Sequence, residues 1–366
     1  MTTTPARMAT IAFRQGSSLA DPGCLTDTDA ERPQPGPHDL RVAVHAVSVN
    51  PVDTKIRAGL IAAPDAVHSL GWDAAGIVEA VGEAVTLFQP GQAVYYAGSF
   101  NRSGSNAQSH LVDERIVGHM PQTLSFAEAA ALPLTSLTAW QLLFDRLGVR
   151  PGKPADAGSL LVLGGAGGVG SMLIQLARRL TGLTVIATAS RAPSRDWCLA
   201  LGAHHVIDHR QPLSAQVGAL PVPPVTHIAA LSHTADHLHE LADLIAPQGR
   251  LAIIDDHDTL DAAPFKAKSV SLHWEMVFTR PLYRTPDMIA QHRILDEVAA
   301  LVDAGVLRST LSRVLYPLDA AHLIEAHRWV EGGGVAGKVV VARCVDDMAK
   351  PVWEAKAMLI KSEAGL

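Results

Sequence analysis

Cysteine is scarce in this chain of 366 residues: there are three, Cys24, Cys198 and Cys344, far apart in sequence. That spacing excludes a disulfide framework and any C-x-x-C metal or redox pair, and it suits a reducing compartment. No apolar run reaches bilayer-spanning length. The opening segment, Met1 to Arg7, lacks the apolar core of a secretory signal, so a cytoplasmic protein is expected. Positive charge is not in excess either. The formal net charge is −6, which argues against a nucleic-acid partner, since non-specific binding needs a basic surface; no membrane partner is expected. Hydrophobic residues make up 48% and charged residues 18%, the balance of a globular rather than a disordered chain, and the length allows two domains with their own cores.

What is present is concentrated at one turn. The apolar run Leu160 to Leu163 ends in Gly164-Gly165-Ala166-Gly167-Gly168-Val169-Gly170, and Ser171 to Arg178 follows with helical spacing. Within it, Gly165-x-Gly167-x-x-Gly170 fits the dinucleotide fingerprint in the strand–turn–helix context that supports it. Glycines let the backbone approach a pyrophosphate, and the helix N-terminus favours its charge. Strand and helix patterns then alternate. Strands are predicted at Thr184–Ala189, His205–Asp208, Val225–Leu231, Gly249–Asp255 and Ser269–Trp274, and helices at Ser194–Leu201 and Ala235–Ile245. Such alternation implies a doubly wound parallel sheet. The second strand is followed by Ser190 and Arg191, with Arg195 close behind and no acid. NAD-specific folds hold an Asp or Glu there for the ribose 2′-OH, whereas arginine suits the 2′-phosphate of NADPH. A solvated helix start is the plainer alternative for both arginines.

The first ~125 residues read differently. Short strands such as Leu40–Val47 and Gly76–Val81 are separated by Gly, Pro and Asn, with turn signals at Pro33–Pro37 and Phe88–Gly91, the mark of a β-rich domain. After residue 280 come a helix (Pro286–Ala304), a strand (Arg313–Tyr316), a helix (Ala320–Val330) and a strand (Lys338–Ala342). These do not extend the nucleotide sheet in simple order, so they are expected to return to the first domain. Val352, Ala355, Met358 and Leu359 give the tail a helical spacing. His233, His237 and His239 read as the polar face of an outer helix rather than as metal ligands.

Together the β-rich start, the glycine turn and the returning C-terminus resemble the medium-chain dehydrogenase/reductase superfamily over about residues 8–344. Asn50-Pro51-Val52-Asp53-Thr54-Lys55-x-Arg57-x-Gly59 is similar to the active-site segment of quinone oxidoreductases and enone reductases. Gly71-Trp72-Asp73-Ala74-Ala75-Gly76 is similar to a second family signature, and Ala131 to Trp140 to the helix that carries the nicotinamide. The resemblance implies an α/β protein: a GroES-like catalytic domain (1–126), a Rossmann NADP-binding domain (127–280), a C-terminal return (281–344) and a tail (345–366). The subgroup it is most similar to is called zinc-type alcohol dehydrogenase-like. Zinc members place Cys, His, Glu and Cys where this chain has Asn50, Trp72, Asp73 and Leu134, and the structural-zinc loop has no cysteine between Tyr95 and His110. Indole and leucine do not ligate zinc, and an amide is a poor ligand; no metal is expected.

The resemblance then implies catalysis by Asn50, Lys55 and Asp53, with hydrogen-bond donors in place of a metal holding the charge on an acceptor oxygen. It assigns cofactor contacts to Thr138, Gly165, Ala166, Gly167, Gly168, Val169, Gly170, Ser190, Arg191 and Arg195, and a substrate pocket to Tyr96, Phe100, Trp274 and Phe278. On spacing alone, Asn50-Pro51 could be a turn, Lys55 a solvated charge, Thr138 a self-bonded hydroxyl and the aromatics plain core. The expected activity is zinc-independent transfer of hydride from NADPH to a small-molecule quinone or α,β-unsaturated carbonyl. A zinc alcohol dehydrogenase and a non-catalytic NADPH-binding redox sensor are the alternatives. The sixth strand, at an exposed sheet edge, implies a homodimer.

Overall fold

A computed structural model describes residues 6–62, 64, 67–154 and 156–344. The tail helix expected over 345–366 and the segment Met1–Pro5 lie outside the described residues. By its internal contacts the chain forms two units, one of residues up to 134 with 278–334 and 338 onward, the other of 135–277 with 335–337. The sequence-based boundaries stood at 126/127 and 280/281.

In the first unit, β1 (Arg7–Phe13) and β2 (Leu25–Glu31) pair with each other. Strand β3 (Asp39–Val49) alternates between buried and half-buried residues over its first half, as a strand with one covered face should, and is buried throughout at its end. That end runs into helix α1 (Pro51–Arg57). Strands β4 (Ala74–Val81), β5 (Ala93–Tyr96), β6 (Ser109–Asp113) and β7 (Val117–His119) and helix α2 (Phe126–Ala130) complete the N-terminal part; the unit boundary at 134/135 falls within α3 (Pro133–Trp140), most of which belongs to the second unit.

The second unit holds β8 (Ser159–Leu163), α4 (Gly168–Leu180), β9 (Thr184–Thr188), α5 (Ala192–Leu201), β10 (His205–Ile207), α6 (Leu213–Gly218), β11 (Val225–Ala230), α7 (Thr234–Leu244), β12 (Ile245–Ile253) and β13 (Ser271–Trp274). Its strands are parallel in the order β10-β9-β8-β11-β12-β13. The order reverses beside β8, which makes the end of β8 the switch point of a doubly wound sheet. Strand β8 is buried along its whole length, and Leu161, Leu163, Ile186, Ile228, Leu241 and Ile253 pack in one core.

The C-terminal elements are α8 (Thr279–Tyr283), α9 (Ala290–Asp303), β14 (Leu311–Leu315), α10 (Ala320–Glu331) and β15 (Lys338–Ala342). They return to the first unit, as the sequence indicates: its main sheet runs β14-β15-β3-β4-β5-β7, with β6 also on β3. Strand β15 is antiparallel to β3, and Val339 lies opposite Val49.

Three local readings change. Strand β12 starts at Ile245 instead of Gly249, directly after α7. The Lys268 ammonium donates to the carbonyls of Ala242, Asp243 and Ile245 at 2.8, 2.7 and 2.9 Å, so the helix end is satisfied without a glycine. Helix α1 has seven residues, too few for periodicity to reveal. Gln141–Arg146 is a π-helix held by Glu275, which accepts from Gln141 Nε2 at 2.8 Å and Arg146 Nε at 2.7 Å. Among the described residues, no helix is long and apolar enough to cross a membrane.

Candidate active site

Asn50 is the last extended residue before α1, and Pro51 at the first helical position presets the backbone for the turn. The Asn50 backbone N–H donates to Asp53 Oδ2 at 2.8 Å, and Gly71 N–H donates to Asp53 Oδ1 at 2.9 Å. Asp53 thus ties the start of α1 to the loop before β4. Burial pushes its carboxyl up to about 7, against the pull of the two backbone donors and of Lys338.

The register of β15 on β3 brings Lys338 beside Asn50. Its ammonium donates to Asn50 Oδ1, to Val49 O at 3.2 Å, and to Asp73 Oδ2 at 3.2 Å. The Asn50 amide group in turn faces Asp73 Oδ2 at 3.1 Å, Ser48 O at 3.2 Å and Trp72 O at 3.3 Å. Asp73 Oδ1 accepts from Leu134 N–H at 2.9 Å. Lys338, Asp73 and Asn50 are 4%, 0% and 1% exposed. Burial raises the Asp73 carboxyl and lowers the Lys338 ammonium from their ordinary values, and each one's charge opposes the other's shift. Three acceptors around three ammonium hydrogens satisfy a cation that would otherwise be costly to bury.

This geometry changes the part Asn50 can play. Both its amide hydrogens already have acceptors within the protein, so it stands as a link between Lys338 and Asp73 and not as a spare donor. Lys55 is half-buried on α1, and Asp53, two residues before it, is buried. Among the aromatics, Phe100 and Phe278 meet edge to face with centroids 5.2 Å apart. Tyr96 is fully buried, stacked on His110 and bonded to its Nδ1 at 3.0 Å. Trp274 belongs to the second unit and is 55% exposed on β13. Trp72 is fully buried, and its indole N–H has no partner among the described residues.

In the second unit the glycine turn leads from β8 into α4. Gly164 has φ +86°, and a Cβ on Gly170 would lie 2.5 Å from Gly164 O, so both positions demand glycine. Gly165 N–H donates to Thr188 O at 3.1 Å, which sets the turn beside the end of β9. Gly167 caps the helix and Gly168, Val169 and Gly170 form its first turn, where amide hydrogens lack intrahelical acceptors. Gly337 N–H reaches Ala166 O at 2.9 Å. Thr138 is buried on α3. Ser190 and Arg191 follow β9, Arg191 is the N-cap of α5, and Arg195 lies in its first turn. The structure adds a third guanidinium. Arg210 donates to Ser190 O at 2.8 Å and forks onto Asp208 at 3.1 and 2.8 Å, holding that carboxyl near 2. Arg210 follows a different strand, so no local motif announced it.

Two regions of the chain match known families: residues 36–140 the alcohol dehydrogenase GroES-like domain, and residues 201–341 the zinc-binding dehydrogenases. A zinc-type alcohol dehydrogenase-like protein of Staphylococcus aureus is 38% identical over 91% of this chain and 99% of its own length. The chain belongs to the medium-chain dehydrogenase/reductase superfamily. The human quinone oxidoreductase is 29% identical over 86% of this chain and 92% of its own. A solved Rhizobium etli protein, named for zinc-dependent alcohol dehydrogenases, is 51% identical with a TM-score of 0.89, covering 93% of this chain and 99% of its own. As a member of this superfamily the chain is an oxidoreductase. The zinc in those names does not fit these residues. Positions 50, 72, 73 and 134 offer an engaged amide, an indole, a carboxylate already bound to an ammonium, and a leucine. Among the described residues, no group of three or more His, Cys, Asp or Glu is placed to hold a metal ion.

Proposed function

We propose that this oxidoreductase is a metal-free, NADPH-dependent reductase of quinones or α,β-unsaturated carbonyls. The observation that carries the reading is the buried ammonium of Lys338 among residues 50 and 73, which leaves no seat for a Lewis-acid metal. Without one, a saturated alcohol or simple aldehyde has little to polarise it. A conjugated acceptor spreads the developing charge to a distant oxygen, where one or two protein donors suffice.

The residues of the second unit suit NADPH. The amides opening α4 would take the pyrophosphate, and Ser190, Arg191 and Arg195 the 2′-phosphate; the carboxylate beside Ser190, Asp208, is already engaged by Arg210. Bound there, the nicotinamide would supply the hydride. Lys55, on the half-buried face of α1, supplies or orients the donor to the acceptor oxygen. Asp53, Asn50 and Asp73 hold the start of α1 in place.

The test is a screen of purified protein for NADPH oxidation with quinones, enals, enones and simple aldehydes, with and without a chelator. Turnover of the conjugated acceptors, indifferent to chelator and with far less than one zinc per chain, is the expected outcome. Stoichiometric zinc with chelator-sensitive alcohol oxidation would overturn it.

A further inference from the structure

The buried cation in the first unit does more than balance a charge. It donates to a backbone carbonyl at the end of β3, to the side chain that opens α1, and to the carboxylate that receives Leu134 N–H at the start of α3. Asn50 bonds Asp73 directly and carries the contact on to Trp72 O. So the segments at 49–53, 72–73 and 134 are fastened together around one nitrogen, delivered by the first residue of β15. These are the segments from which zinc-bearing members draw their ligands. A metal ion would join them through coordination bonds; here hydrogen bonds from a tethered ammonium do so.

We propose that Lys338 is a positioning residue that takes over the cross-linking work of a metal ion, fixing the start of α1 and with it the helix that carries Lys55. The inference rests on the reductase reading for its kinetic consequence and on geometry alone for its structural one. Lysine suits the place because a compact ammonium can meet three acceptors arranged around a point, which a planar guanidinium cannot do equally well. The cation also has no exchange equilibrium with solvent, so the site is independent of metal supply.

The experiment uses the full chain as Lys338→Met and as the double variant Asp73→Asn/Lys338→Met. In the single variant a carboxylate is left buried without its cation, so a loss of stability is expected for trivial reasons. The double variant removes both charges and recovers most of that melting temperature. If Lys338 only balanced Asp73, turnover would recover as well. Instead kcat for a conjugated acceptor is expected to stay at least about tenfold down in both variants, with KM for NADPH within about twofold of the unmutated protein. Hydrogen exchange at the amides of Asn50, Gly71 and Leu134 is expected to speed up in both, and this readout needs no substrate. Recovery of kcat together with stability in the double variant would overturn the proposal, as would unchanged exchange at all three amides. An unmutated protein inert toward every acceptor would sink the reductase reading, while the exchange measurement would still decide the role of Lys338. If Lys338→Met does not fold, the double variant alone carries both measurements.

Discussion

Replacing Arg191 with alanine should separate the two nicotinamide cofactors. Arg191 ends the connection after β9 and is exposed, with Arg195 one helical turn on. The ligand group at issue is the 2′-phosphate that only NADPH carries. A charge-assisted hydrogen bond contributes about 1.5–3 kcal/mol. Unit charges ~4 Å apart attract by about 1 kcal/mol in water and ~4 kcal/mol at an effective dielectric near 20, so an exposed guanidinium belongs at the low end. About 1.4 kcal/mol corresponds to tenfold in Kd. Arg191→Ala should therefore weaken NADPH about tenfold and leave NADH nearly unchanged. Arg210 contributes less than its position suggests, because Asp208 already holds both arms of its fork. Asp208→Asn should release it and tighten NADPH severalfold. The assay is titration of cofactor fluorescence at low and high salt, since screening must shrink the preference if it is electrostatic. Equal affinities for NADPH and NADH in the unmutated protein, or an equal loss of both in Arg191→Ala, would refute the reasoning.

Three further outcomes are expected. Lys55→Ala should lower kcat for a conjugated acceptor at least about tenfold, and Lys55→Arg should not restore it fully; steady-state rates with saturating NADPH check this. Asp53 has its carboxyl raised by burial to about 7, so the folded chain binds that proton more tightly than the unfolded chain does. Its contribution to stability is then largest in acid and falls as pH rises from about 4 to about 7, flattening above. The difference in unfolding free energy between the unmutated protein and Asp53→Asn, followed across that range, should show this slope, and a slope of opposite sign would contradict it. Among the described residues β13 is an edge strand of the parallel sheet, with Trp274 55% and Met276, just past its end, 42% exposed, so two copies are expected to pair there as a homodimer. Sedimentation at micromolar concentration should give a dimer that Trp274→Lys dissociates.

Much of the second unit is legible in the sequence because its signals are local. The glycine turn, the apolar run Leu160–Leu163 before it and the alternation after it lie within a single contiguous stretch, and each crossover is constrained by handedness. The return of the C-terminus was legible by exclusion, since the nucleotide sheet had no place for two more strands. The buried cluster was not. Lys338 and Asn50 are 288 residues apart, and only the register that sets Val339 against Val49 places them together. Nothing near Lys338 in sequence marks it as other than the start of a strand. Arg210 is hidden for the same reason, since its neighbour Ser190 lies 20 residues away in sequence, after β9. The spacing around Asn50 marks the segment as a candidate, but whether its amide is a free donor depends on partners that spacing does not reveal.

The place of β15 has a consequence for how the chain is made. That strand lies inside the main sheet of the first unit, between β14 and β3, and is buried over all five residues. A ribosome adding ~5–20 residues per second needs roughly 15–60 s to go from Asn50 to Lys338. Throughout that time the flank of β3 has no β15 to pair with, and Asp73 and Asn50 wait without their cation. The strands of the second unit, by contrast, are all emitted in one run, so that unit can finish first. The polypeptide that begins earliest is thus completed last, and its unfinished edge is the stretch a chaperone would need to cover.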